Sequence, residues 1–346
     1  MKYLKTYNDY IINEARGLSE TSIIYSDIIF SEFNKHFEQF LKSNSNEQSY
    51  KIILNKNDLK DIIDNKNWPN FPVSEFELEF KIKTIPAEKF NEKYYETIKY
   101  KNWITNGAFY NLEDYYEGCP NSYLLSDGTI HLKMEIGVEL SSEFNDKKGL
   151  EVEIESCILH ELSHAYEAWV RKKSGHGQTS VDLTWSIDVN RPNIKKELFK
   201  IWSDNINLLY NSERHELRAM VQEAWSYVKK YNFDEMKEKC FVWKIAEQMS
   251  NFDALEFREE FKEKAKEIYP DINEYGIEFI LKSLKGGLAN ELIQRRDETA
   301  HEDKPSIIGE KIKKMSLDSF FNFIQKRINF SGEKLKQKIM RLYSLK

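Results

Sequence analysis

The stretch ESCILHELSHAYEAW, residues 155–169, decides how this chain folds around a site. It contains the pattern HExxH, formed by His160, Glu161 and His164. In an α-helix, residues four apart lie one above the other on the same face, so the two imidazoles can converge on one ion. Glu161 then projects beside that ion. The pattern therefore predicts a metal site on one helix, and zinc is the metal that such a pair of histidines holds.

The residues around the motif favour a well-packed helix. A buried helix rarely carries two histidines and a glutamate without a use, because burying Glu161 without a partner would cost several kcal/mol. Metal binding accounts for all three polar residues together. The apolar positions that predict the helix are Leu150, Val152, Ile154, Ile158 and Leu159 before the motif, and Ala165, Ala168 and Trp169 after it.

Composition sets the broad class of the protein. The chain has 346 residues, of which 40% are hydrophobic and 14% aromatic, enough for a substantial core. The 31% of charged residues, with 13 Gly and 7 Pro, favour helices over a turn-rich β architecture. The net charge of -6 argues against nucleic-acid binding by the protein as a whole.

Cellular location is predicted from the cysteines and the absence of apolar runs. Cys119, Cys157 and Cys240 are odd in number and far apart, which is typical of a reducing compartment. The sequence shows no run long enough to span a membrane and no signal-peptide core at its start. We therefore expect a cytoplasmic protein with no membrane partner.

The N-terminal half mixes helices with strands. Residues 1–70 are expected to form a helical subdomain, which ends at a Pro- and Asn-containing break. Strands are predicted where apolar and polar residues alternate, at 76–82 and near 104–110. A hairpin is predicted from 123–125 to 130–136 through the turn Asp127-Gly128.

The C-terminal half is predicted to be helical almost throughout. Because strands precede helices instead of alternating with them, the expected class is α+β. Residues 71–300 would form one domain with a small, mainly antiparallel sheet and an active-site helix, flanked by many helices. Gly286-Gly287 is interpreted as a helix break. The predicted helices are 194–210, 213–231, 233–249, 252–268 and 277–293.

A catalytic zinc site usually takes three protein ligands, so a further residue must complete the pair of histidines. The best candidate is Glu216 in LYNSERHELRAMVQEAW, residues 209–225, which shares a helix face with Ala219 and Glu223. Glu213, one turn earlier, is a rival, since either carboxylate could lie at the start of that helix. His176, within the tripeptide GHG, is a second rival.

At this point the chain resembles the gluzincin-type zinc metallopeptidases, in which a glutamate on a following helix, often within ExxA, completes HExxH. Glu216 and Ala219 fit that form. The metzincin arrangement is excluded, because Glu167 stands at its glycine and Val170 at its last histidine. His176 as the ligand would instead resemble the Spartan-like zincins, nucleic-acid-associated proteases in which a later histidine completes HExxH.

The resemblance implies a zinc metalloprotease with a zincin-like core. Glu161 would be the general base for a zinc-activated water that attacks a peptide bond. Tyr210, His215 and His176 are candidates for stabilising the oxyanion, and no spacing rule selects one. The alternatives are a zincin-fold structural or interaction protein with weak or absent hydrolysis, and a Spartan-like nucleic-acid-associated protease.

The last segment differs from the rest in charge. Residues 304–346 carry a net charge of about +8, so the rest of the chain carries about -14. Apolar residues at helical spacing predict two amphipathic helices in a basic tail, residues 301–346. A solvated basic face is the simplest interpretation, and docking to nucleic acid or to an acidic protein is the alternative.

Overall fold

The computed structural model describes residues 20–43, 45–55, 58, 73–94, 102–111, 130–173, 194–294 and 307–344. Within these ranges the chain forms eleven helices and one four-stranded sheet, a mixed α and β architecture that fits the expected α+β class. In chain order the elements are α1 (Glu20–Lys42), β1 (Glu47–Asn55), β2 (Val73–Ile85), α2 (Ala87–Tyr94), β3 (Trp103–Asn111), β4 (Ile130–Ser141), α3 (Lys147–Lys173), α4 (Lys196–Asn211), α5 (Arg214–Lys230), α6 (Phe233–Lys239), α7 (Phe241–Ser250), α8 (Ala254–Ile268), α9 (Glu274–Gln294), α10 (Ile307–Lys314) and α11 (Leu317–Tyr343). None of the helices in these ranges combines the length and the apolar character needed to cross a bilayer.

The chain divides into two compact units. The first comprises Met1–Tyr166, Arg218–Lys239 and Arg341–Lys346, and the second comprises Glu167–Leu217 and Cys240–Met340. The domain boundaries that the sequence predicts, at residues 70 and 300, stay a prediction.

The sheet belongs to the first unit and is mixed. Its strand order is β1-β2-β4-β3, with β1 and β3 each antiparallel to their neighbours and the central pair β2 and β4 parallel. Alternation gives each central strand one apolar face: Phe76, Leu78, Phe80 and Ile82 on β2 lie in register with Leu132, Met134, Ile136 and Val138 on β4. The opposite face is charged.

Helices α1 and α3 both pack on the apolar face of the sheet. Phe33 of α1 meets Phe80 edge to face, with ring centroids 5.4 Å apart. Trp103 of β3 shares that face because it lies in register with Leu140 of β4, and its indole nitrogen donates to Glu153 of α3. The helix that carries the HExxH motif therefore lies against the sheet near its β3 edge.

The second unit is a helical assembly built around Trp202. This indole, on α4, is 2% exposed and contacts Phe257 of α8 and Phe320 of α11, with ring centroids 5.9 and 6.0 Å away. Close approach of α9 and α10 requires glycine at 309, since a Cβ there would lie 2.6 Å from the backbone nitrogen of Ile293. The two C-terminal helices are thus part of this core.

Three helix predictions are wrong. Residues 47–55, within the segment expected to form a helical subdomain, are strand β1, whose alternating exposure matches antiparallel pairing with β2. The expected helix 233–249 is two helices, since Cys240 between them has an extended backbone. Gly286-Gly287 does not break α9, because packing of the helix outweighs the local cost of two glycines.

Other predictions are confirmed. Strands cover 76–82, 104–110 and 130–136, and helices cover most of the remaining ranges expected after residue 190. The tail forms the two amphipathic helices α10 and α11. The first arm of the hairpin, 123–125, and its turn lie outside the described residues.

Candidate metal centre

The position of the motif helix is fixed by contacts with β3. The carboxylate of Glu153 accepts hydrogen bonds from the Trp103 indole at 3.1 Å and from the Thr105 hydroxyl at 2.7 Å. Thr105 also approaches the sulfur of Cys157, one helical turn further along α3, at 3.8 Å. From Trp103 to Thr105 the strand therefore advances along α3 in the direction of His160.

The two histidines of the motif converge as their spacing predicts. The Nε2 atoms of His160 and His164 lie 3.1 Å apart. A tetrahedral zinc ion with Zn–N bonds near 2.05 Å would hold two ligand nitrogens about 3.3 Å apart. His164 is 8% exposed, so its imidazole is largely shielded from water. The histidine pair is close to the geometry of a ligated site without further movement.

Glu223 of α5 contacts the ring nitrogen of His160 that faces away from His164. Its Oε2 lies 3.1 Å from His160 Nδ1, and the two side chains are 16% and 22% exposed. An imidazole that donates its Nδ1 proton to a carboxylate presents Nε2 with a free lone pair, which is the tautomer that a metal ligand needs. Sequence reasoning placed Glu223 on one face with Glu216 but assigned it no role.

Further contacts orient α5 against α3 within the first unit. The buried carboxylate of Glu155 is paired with Lys229, and the ammonium of Lys148 lies 4.6 Å from the ring centroid of Tyr231. Residue numbers rise along α3 as they fall along α5, so the helices run antiparallel.

Glu216 lies in the first turn of α5, two residues before the part of that helix assigned to the first unit. It is 5% exposed, and one oxygen of its carboxylate forms a group with the nitrogens of His160 and His164 in which all ligand atoms lie within 4.8 Å of one another. The hydroxyl of Tyr210 donates a 2.5 Å hydrogen bond to Glu216 Oε1.

These three residues can hold a metal ion. Two imidazole nitrogens and one carboxylate oxygen suit zinc in a catalytic site, which uses three protein ligands and leaves a position open. The near-tetrahedral spacing of the nitrogens and the carboxylate behind His160 are the two features that fit such an ion.

The other sequence candidates have different positions. Glu161 follows His160 on α3 and is half-buried. Glu213 lies just before α5 and is not a member of the group that can hold a metal. His176 lies outside the described residues. His215 is in α5.

Cys157, one turn before His160, is not a member of the group either. Cys157 forms no disulfide, and its thiol lies beside the hydroxyl of Thr105. Burial raises the pKa of this thiol, and the nearby carboxylates of Glu223 and Glu153 raise it further. In the metal-free chain the thiol is therefore protonated at neutral pH.

Comparison of the chain with protein-family models, with curated proteins and with solved structures finds no match.

Proposed function

We propose that this protein is a zinc-dependent metallopeptidase that hydrolyses peptide bonds in a peptide or protein substrate. The observation that carries the proposal is the group formed by His160, His164 and Glu216, whose ligand atoms lie within 4.8 Å of one another. The two histidines belong to an HExxH motif, in which Glu161 follows the first of them. A zinc ion held there would polarise the substrate carbonyl and lower the pKa of an attacking water.

The protein side chains would divide the remaining work. Glu161 is the general base that takes the proton of the attacking water and returns it to the leaving amine. Glu223 keeps the His160 ring in the tautomer and orientation that binding requires. Tyr210, whose hydroxyl donates a hydrogen bond to Glu216, would hold that carboxylate in place.

Strand β3 supplies a place for the substrate backbone. In the described part of the chain it lies at the edge of the sheet, paired on one side with β4 only. From Trp103 to Thr105 the strand advances along α3 toward His160. An extended peptide that added to this edge would gain main-chain hydrogen bonds and run toward the HExxH motif.

Metal content tests the ligand assignment. Wild-type protein is expected to contain one zinc per chain after dialysis, measured by plasma mass spectrometry, and Glu216→Ala is expected to lose most of it. Glu213→Ala is the matched control, one helical turn away, and should keep its metal. Loss of zinc from Glu213→Ala with full zinc in Glu216→Ala would show that the wrong carboxylate has been chosen.

Peptidase activity tests the chemistry. Glu161→Gln should keep zinc and the fold while cleavage of a quenched fluorescent peptide library falls by about 100-fold or more, as expected for loss of a general base. Unchanged cleavage by Glu161→Gln would contradict the mechanism. Full zinc content with no cleavage by the wild type would favour a non-hydrolytic metal-binding protein.

A further inference from the structure

A row of alternating aromatic and basic side chains follows one side of α11, in the second unit. We define the basic-aromatic stripe as Phe323, Lys326, Phe330 and Lys334. Their spacings of three, four and four residues keep them within one narrow side of the helix. Lys326 and Lys334 are exposed, Phe330 is 70% exposed and Phe323 is half-buried.

The cations of the stripe have no carboxylate partner in the described part of the chain. Neither Lys326 nor Lys334 forms an ion pair there, whereas lysines on α8 and α9, such as Lys262 and Lys282, are paired with glutamates. The acidic residues of α10 and α11 contact other cations: Asp318 is paired with Arg258, Glu333 with Lys336 and Glu310 with Lys314. The positive charge of the stripe is therefore not neutralised by its own helices.

A second helix adds charge beside the stripe. The ammonium of Lys311, on α10, lies 5.3 Å from the centroid of the Phe323 ring. Phe323 thus has a cation over its face, while Phe330 is flanked by Lys326 and Lys334 about 6 Å away on either side along the helix axis. Aromatic faces and cations alternate over the whole length of the stripe.

We propose that the basic-aromatic stripe binds single-stranded nucleic acid. Such strands are held by cations that contact phosphates and by aromatic rings on which bases stack, and the stripe offers both in alternation. The negative charge of the phosphates supplies the partner that Lys326 and Lys334 lack among the described residues. This inference does not depend on the proposed peptidase activity.

A membrane surface is a poorer partner for this helix. The apolar side of α11 is already buried in the core of the second unit, including Phe320, Ile324 and Ile328. An interfacial helix needs a broad apolar face to enter the bilayer, and Phe330 alone does not provide one. The exposed side offers charge and a single fully accessible ring, which suits a stacked base.

Binding of a fluorescein-labelled oligo(dT) of about 20 nucleotides, followed by anisotropy with the full chain, tests the proposal. Phe330→Ala should weaken binding by about tenfold, the effect of losing one stacked base. Phe279→Ala is the matched control, since Phe279 is 65% exposed on α9 and lies outside the stripe. Thermal unfolding of both variants should match the wild type because both rings are exposed.

The salt dependence separates the charge contribution. Between about 50 and 200 mM salt, Lys326→Ala/Lys334→Ala should reduce the slope of log K against log salt by about 1.4, or about 0.7 for each phosphate that a lysine no longer neutralises. Lys282→Ala, whose lysine is paired with Glu278, should leave the slope unchanged. Equal binding of polyglutamate and oligo(dT), binding of anionic vesicles but not oligo(dT), or full affinity in Phe330→Ala would each overturn the proposal.

Discussion

Glu223 offers the sharpest test of the metal centre, because it touches no predicted substrate and acts only through His160. The perturbation is a pair of substitutions, Glu223→Gln and Glu223→Ala. The first keeps a side chain of similar shape that can still accept from His160 Nδ1, but removes its charge. The second removes the hydrogen-bond acceptor altogether. In the wild type a carboxylate oxygen lies 3.1 Å from His160 Nδ1, and in Glu223→Ala that atom has no such neighbour.

The magnitude follows from the role of such a carboxylate. Removing the hydrogen-bond partner of a metal-bound histidine lowers metal affinity about 10- to 100-fold. Each factor of ten is about 1.4 kcal/mol of binding free energy. Glu223→Gln should lie near the tenfold end, because the hydrogen bond survives, and Glu223→Ala near the hundredfold end. The partial exposure of both side chains, 16% and 22%, keeps the effect within this range.

The assay is zinc competition with a chromophoric chelator at neutral pH. Glu247, an exposed glutamate on α7, supplies the matched controls Glu247→Gln and Glu247→Ala, which change net charge equally. Their zinc affinity should equal that of the wild type. Equal affinity in all five proteins would refute the idea that Glu223 positions His160, even if His160 and His164 remained ligands.

Three further predictions concern stability and can be checked by urea unfolding. Lys229→Met should destabilise the first unit by about 2 kcal/mol, because it leaves the carboxylate of Glu155 buried without its cation. The double variant with Glu155→Met should recover most of that loss. If the free-energy costs of the two single substitutions simply add in the double variant, the account is contradicted. Burial lowers the pKa of Lys285, so the unfolded chain binds this proton more tightly than the folded chain. The free energy of unfolding should therefore increase as pH rises toward 10.5. The Lys285→Met variant should lack this increase, and parallel pH profiles of the two proteins would contradict the prediction. Trp202→Ala should cost the second unit about 3–5 kcal/mol, with a smaller loss for Trp202→Phe, and a cost below 1 kcal/mol would mean that the aromatic core is not centred there.

The local geometry of the site could be predicted because it depends on helix periodicity. The i, i+4 spacing of His160 and His164 places both rings on one face whatever surrounds the helix, and their Nε2 atoms do meet. Glu216 was selected on its helix-face position in the same way, and the structure brings it to the two histidines. The catalytic role of Glu161 stays a prediction.

What the sequence did not reveal depends on contacts between distant segments. The role of Glu223 is set by the antiparallel register of α5 on α3, which no local pattern encodes. Strand β1 was missed because its conformation is decided by pairing with β2 and not by its own propensity. The spacing of seven residues between Glu216 and Glu223 places both carboxylates on one face of the helix. This spacing could have suggested that Glu223 contacts a histidine of the motif.

The contact between His160 and Glu223 spans 63 residues of sequence, and this distance sets when the site can form. A nascent chain that has emerged only as far as the end of α4 holds both histidines of the motif and neither carboxylate of α5. During synthesis, the two imidazoles therefore have neither Glu216 nor Glu223 beside them until α5 has left the ribosome. Any activity that needs both carboxylates of α5 therefore cannot begin before α5 has folded onto α3.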